Sequence, residues 1–68
     1  MNAFSAKLRA ARERLGLTQA EVALLVDMSA EWVSKCERGL TVPPTISQEG
    51  ALERLRAQAL ADISAITI

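Results

Sequence analysis

The sequence contains no histidine and a single cysteine in 68 residues, and each shortage removes a class of chemistry. One cysteine cannot close an internal disulfide, and without histidine there is no plausible zinc set and no cysteine–histidine nucleophile pair. The chain is therefore expected to be no enzyme, to hold no metal or other cofactor, and to bind no small-molecule ligand. Cys36 reads as a small buried apolar residue. No apolar run approaches the ~20 residues of a membrane span and the N-terminus shows no signal-peptide pattern. A cytoplasmic protein without a membrane partner is expected.

Aromatic content is only 3% and there are two prolines. Half of the residues are apolar, mostly Ala and Leu, a composition that favours a helical globule over a sheet or disorder. The expected fold class is all-α, a single domain over residues 1–68, too short for a deep catalytic cleft. The formal net charge is zero, which argues against a generic polycation, but the charges are uneven. Lys7, Arg9, Arg12 and Arg14 against Glu13 give residues 1–14 a local +3, and residues 15–46 and 47–68 carry −2 and −1. A nucleic-acid partner would have to be held by a local patch.

Four helices are legible. Phe4, Leu8, Ala11 and Leu15 form one apolar stripe, and Gly16 follows where a left-handed cap is wanted. Thr18 and Glu21 make a capping box, so a second helix starts at Gln19 and runs to about Val26 with Val22, Ala23 and Val26 inward. Ser29 caps a third helix that reaches about Arg38, with Val33 and Cys36 inward and Gly39 ending it. Pro43 and Pro44 enforce extended backbone, giving a loop over residues 40–46. A long amphipathic helix over about residues 47–65 carries Leu52, Leu55, Ala59, Ile63 and Ile66 at three- and four-residue steps. That stripe is longer than one small domain covers, so it is expected to close the core and to pair two copies.

Helix, three-residue turn, helix over residues 18–38, with small Ala23 at the crossing and apolar Val33 beyond it, suits a helix-turn-helix. On spacing alone an ordinary helical hairpin fits as well. The residues LRAARERLGLTQAEVALLVDMSAEWVSKCERG go further and resemble the phage repressor/Cro-like (XRE-type) helix-turn-helix family. Thr18-Gln19, Glu21, Ala23, Ser29, Val33-Ser34 and Glu37-Arg38-Gly39 match in one register over about half of the chain.

That resemblance implies a lambda-repressor-like domain that binds double-stranded DNA in the major groove. It implies a phosphate contact for Gln19, beside Thr18, and base-edge contacts for Ala30, Glu31 and Lys35, the last two chemically suited to cytosine N4 and to guanine O6 and N7. Ser29, Ser34, Arg38 and Thr41 are expected at the same surface, with Trp32 turned toward its margin and its indole N–H toward phosphate. Arg12 and Glu37 are expected to form an internal ion pair. The chain departs from the family at Asp27, where glycine is common, and after Gly39, where a diproline and one long helix replace two short helices.

The expected function is a homodimeric repressor or autorepressor of a phage or mobile-element type operon, including anti-CRISPR-associated, toxin–antitoxin and restriction-controller operons. It would bind an inverted-repeat operator through half-sites roughly 34 Å apart. The alternative is a protein-interaction module that keeps the fold without binding DNA, favoured by the zero net charge and by Ala30 at a base-reading position.

Overall fold

A computed structural model describes residues 3–67, with side chains described as far as residue 61. The element order is α1 (Ala3–Leu15), α2 (Gln19–Val26), α3 (Ala30–Glu37) and α4 (Thr45–Thr67), and no strand occurs among the described residues. The fold is all-α and carries a helix-turn-helix, as the sequence indicates. No helix among the described residues is long and apolar enough to cross a membrane.

The first three helices stop for one shared reason. Gly16 (φ 69°), Asp27 (φ 58°) and Gly39 (φ 75°) each enter the left-handed region. The following amide then reaches back five residues: Leu17 N–H to Arg12 O at 3.1 Å, Met28 N–H to Ala23 O at 2.9 Å and Leu40 N–H to Lys35 O at 2.9 Å. This closure satisfies carbonyls that would otherwise be orphaned at a helix end. Asp27 takes the position at modest cost because Asp is among the few side chains that tolerate it.

Two boundaries differ by more than one residue from the sequence reading. The last helix begins at Thr45, not Ser47, because the diproline starts the helix instead of delaying it. The Pro44 carbonyl accepts from the Gln48 amide at 3.0 Å and the Pro43 carbonyl from Gln48 Nε2 at 2.8 Å. A proline has no N–H to lose in the first turn. The same helix runs to Thr67, beyond residue 65.

Phe4 and Leu8 of α1, Val22, Ala23 and Val26 of α2, Val33 and Cys36 of α3, and Ala51 and Leu55 of α4 form one core. Leu8 and Leu55 sit at its centre, fully shielded from water. The stripe of α4 is therefore divided. Leu55 is 2% exposed and closes the core of its own chain, the core-closing half of what the stripe is expected to do. Leu52 and Ala59 are half-buried. Ile63 and Ile66 lie outside the described side chains.

Leu55→Ala is expected to lower stability by about 2–5 kcal/mol, the range for truncating a buried leucine. A Cβ added at Gly50, inside α4, would meet nothing within 4 Å, so Gly50→Ala should raise stability by roughly 0.5–1 kcal/mol through the unfolded chain. Urea midpoints of the two variants against wild type check both directions.

Candidate nucleic-acid interface

The geometry of α3 starts from its buried end. Glu37, in the last turn, has a side chain with no exposed surface, and a charge so placed persists only where donors converge on it. Arg12 of α1 supplies two: Nε to Oε2 at 2.7 Å and a terminal amine to Oε1 at 3.0 Å. Gln19 of α2 donates Nε2 to Oε1 at 3.3 Å, and Arg9 approaches the same oxygen at 3.4 Å. Ser5 Oγ donates to the Glu37 backbone carbonyl at 2.9 Å. Burial pushes the Glu37 carboxyl upward, but the hydrogen bonds from Arg12 and Gln19 and the Arg12 charge outweigh it and hold the group below its ordinary range. The same hydrogen bond raises Arg12.

The N-termini of the two helices of the motif are finished locally. Thr18 Oγ1 accepts from the Glu21 amide at 3.1 Å while Glu21 accepts from the Thr18 amide at 2.9 Å. Those bonds keep the Glu21 carboxyl low. Ser29 Oγ accepts from the Trp32 amide at 3.1 Å and caps α3. Thr18 and Ser29 are both exposed, and Gln19 is half-buried.

With Val33, Cys36 and Glu37 inward, α3 presents Ala30, Glu31 and Lys35 to solvent, with Arg38 exposed as its C-cap and Ser34 half-buried between them. Lys35 Nζ lies 3.1 Å from Glu31 Oε1, one turn away. Both ends of that pair are well exposed, so it is worth only about 0.3–0.5 kcal/mol and yields readily to another partner.

Two of the residues expected at the interface are half-buried. Trp32 packs against the core, its ring 6.4 Å from that of Phe4 at a tilt of 60°. The rotation that puts Val33 and Cys36 inward leaves Trp32 at the edge of the core, and a large ring gains more by covering Phe4 than by standing in water. Thr41, also half-buried, lines an open concavity of about 520 Å³ together with Trp32, Val42 and Pro43.

The sequence reading paired Arg12 with Glu37 but missed Ser5, Arg9 and the engagement of Gln19. The signal available was the polar stripe Ser5, Arg9 and Arg12, at steps of four and three along α1. Among the described residues, no buried side-chain nitrogen or oxygen lacks a partner, so the polar centre of the domain is closed.

A family model described as a helix-turn-helix domain matches residues 3–63 of the chain. No curated protein and no solved structure matches it.

Removing one side of the buried pair should be costly. Arg12→Ala is expected to lower stability by about 3–5 kcal/mol, because Glu37 is left buried with weaker partners. Since the folded carboxyl titrates below its ordinary value near 4.5, its contribution is complete above that value and is lost as pH falls through the lower folded value. Urea midpoints measured from pH 7 down to pH 3 should therefore fall for wild type. The drop should be smaller in Glu37→Gln, which starts less stable and has no charge to lose.

Proposed function

The chain belongs to the helix-turn-helix domain family, and from that premise we propose that it is a sequence-specific regulator that binds double-stranded DNA as a homodimer. The observation that carries this reading is the division of α3: Val33, Cys36 and Glu37 are fixed inside, while Ala30, Glu31 and Lys35 face outward on a helix narrow enough for a major groove.

On this reading Gln19 and the capped starts of α2 and α3, at Thr18 and Ser29, meet backbone phosphates and set the register. Lys35 donates to guanine O6 and N7 and Glu31 accepts from cytosine N4. Leaving the Glu31–Lys35 pair costs far less than the about 1–3 kcal/mol of discrimination that one good base contact supplies. Ser34 and Arg38 flank those contacts. Trp32 acts from beneath, as packing that fixes the helix. Two copies on an inverted repeat would repress by occupying the promoter, as an autorepressor of a phage or mobile-element type operon.

Zero net charge means that affinity must come from a few directed contacts. The test is fluorescence anisotropy on an inverted repeat taken from the DNA upstream of the gene, titrated at several salt concentrations. Affinity should fall steeply with salt, with a log–log slope of about −0.9 for each phosphate contacted. Gln19→Ala should weaken binding to all sequences alike, and Lys35→Ala should relax preference at one half-site position by about 1–3 kcal/mol. Salt-independent binding, or two variants indistinguishable from wild type, would instead favour a protein-interaction module.

A further inference from the structure

The four basic residues of α1 point to two different faces. Arg9 and Arg12 lie toward α3, at Glu37. Lys7 and Arg14, two turns apart, lie on the other side, where with Arg56 of α4 they rim an open groove of about 420 Å³ between the two helices. Ala10, Ala11, Leu52 and Ala59 floor it, and no acidic side chain lines it. Among the described residues no ion pair holds Lys7 or Arg14, and Arg56 meets only Glu53, at 3.8 Å between exposed ends.

We propose that this groove seats α4 of a second copy, so that α1 forms half of the dimer surface and Lys7 and Arg14 are determinants of pairing, not contacts to DNA. The inference rests on the homodimer reading above and says where that dimer closes.

Three observations choose the occupant. The first is register. Leu52 and Ala59 of the groove belong to the stripe that continues at three- and four-residue steps to positions 63 and 66, on a helix that runs on to Thr67. The second is charge. Residues 59–68 contain Asp62 and no basic residue, so the end of α4 brings an apolar sequence with one acidic charge to an apolar floor with a basic rim. The third is bulk. Ala10, Ala11 and Ala59 leave room for a helix to approach at the near end of the usual 8–10 Å spacing.

A two-fold axis then fills both grooves at once, each copy giving its α4 and receiving the other's. The N-terminal charge surplus noted in the sequence is thereby accounted for in two parts, one neutralising Glu37 and the other facing the partner.

Sedimentation equilibrium of the full chain, without DNA, tests this. Lys7→Glu with Arg14→Glu should raise the dimer dissociation constant at least about tenfold, since charge at an interface rim is placed against an acidic flank. The neutral pair Lys7→Gln and Arg14→Gln should weaken it less. Asp62→Lys alone should also weaken pairing, and combined with the two glutamates should recover it. Lys7 and Arg14 are exposed, so circular dichroism should show unchanged helix in their variants. A wild-type dimer left unaffected by the double reversal would overturn the groove assignment while leaving the homodimer standing. A wild-type chain that stays monomeric up to millimolar concentration would overturn both, and the salt-dependence measurement on DNA would be untouched.

Discussion

A carboxylate without exposed surface, on the last residue of an eight-residue helix, is the constraint on which this small domain depends. Position alone disfavours it, because the C-terminal end of a helix repels negative charge and because burial strips its water. Its donors come from α1 and α2 and never from α3 itself. Satisfying Glu37 therefore requires three helices to be in one relative arrangement. Arg12 also donates to the Leu17 carbonyl at 3.1 Å, which ties the α1–α2 connection into the same knot. The apolar core supplies most of the free energy of burial, but apolar contacts tolerate sliding. The directed bonds to Glu37 do not, and they fix the angle at which α3 leaves the surface.

That arrangement separates what holds α3 from what α3 displays. The helix is anchored by the Ser29 hydroxyl cap at its start, by inward side chains along its length and by the Gly39 backbone closure at its end. Ala30, Glu31 and Lys35 are exposed, and the Glu31–Lys35 pair among them lies within the helix. On the proposed reading this is what a DNA reader requires, because base preference can change at those three positions without disturbing the scaffold. Gln19 joins the two roles. Its amide already donates to Glu37, so on that same proposed reading less side-chain entropy would be lost on meeting a phosphate.

The parts of this structure legible in the sequence are those whose causes are local. The capping box at Thr18 and Glu21, the Ser29 cap and the left-handed stops at Gly16, Asp27 and Gly39 each depend on a few adjacent residues, and each is present. What was not legible depends on partners far along the chain. Ser5 and Arg9 lie 32 and 28 residues from Glu37, and the polar stripe they form with Arg12 along α1 does not by itself name the carboxylate it faces. Trp32 sits at the boundary of two helix faces, where a modest rotation decides between core and surface. The diproline bars helix by its own backbone, yet its carbonyls accept the first bonds of the helix that follows. Leu52 and Leu55 belong to the same stripe, and only the line along which α4 crosses the bundle decides that Leu55 is enclosed and Leu52 is not.

The long α4 is where the monomer is least complete. A helix of 23 residues spans about 34 Å at 1.5 Å per residue, whereas the domain is about 20 Å across its two shorter axes. One bundle of this width cannot cover the apolar side of such a helix, and Leu60 stands 59% exposed just beyond the last turn that packs on α1. A chain of this length has little core to draw on, and small domains commonly reach adequate stability by sharing burial with a copy. Two short helices folded back on the bundle would keep that apolar surface for the monomer. One long helix carries it outward, and on the proposed reading this would tie the stability of the fold to the pairing that sets two copies of α3 on one DNA duplex.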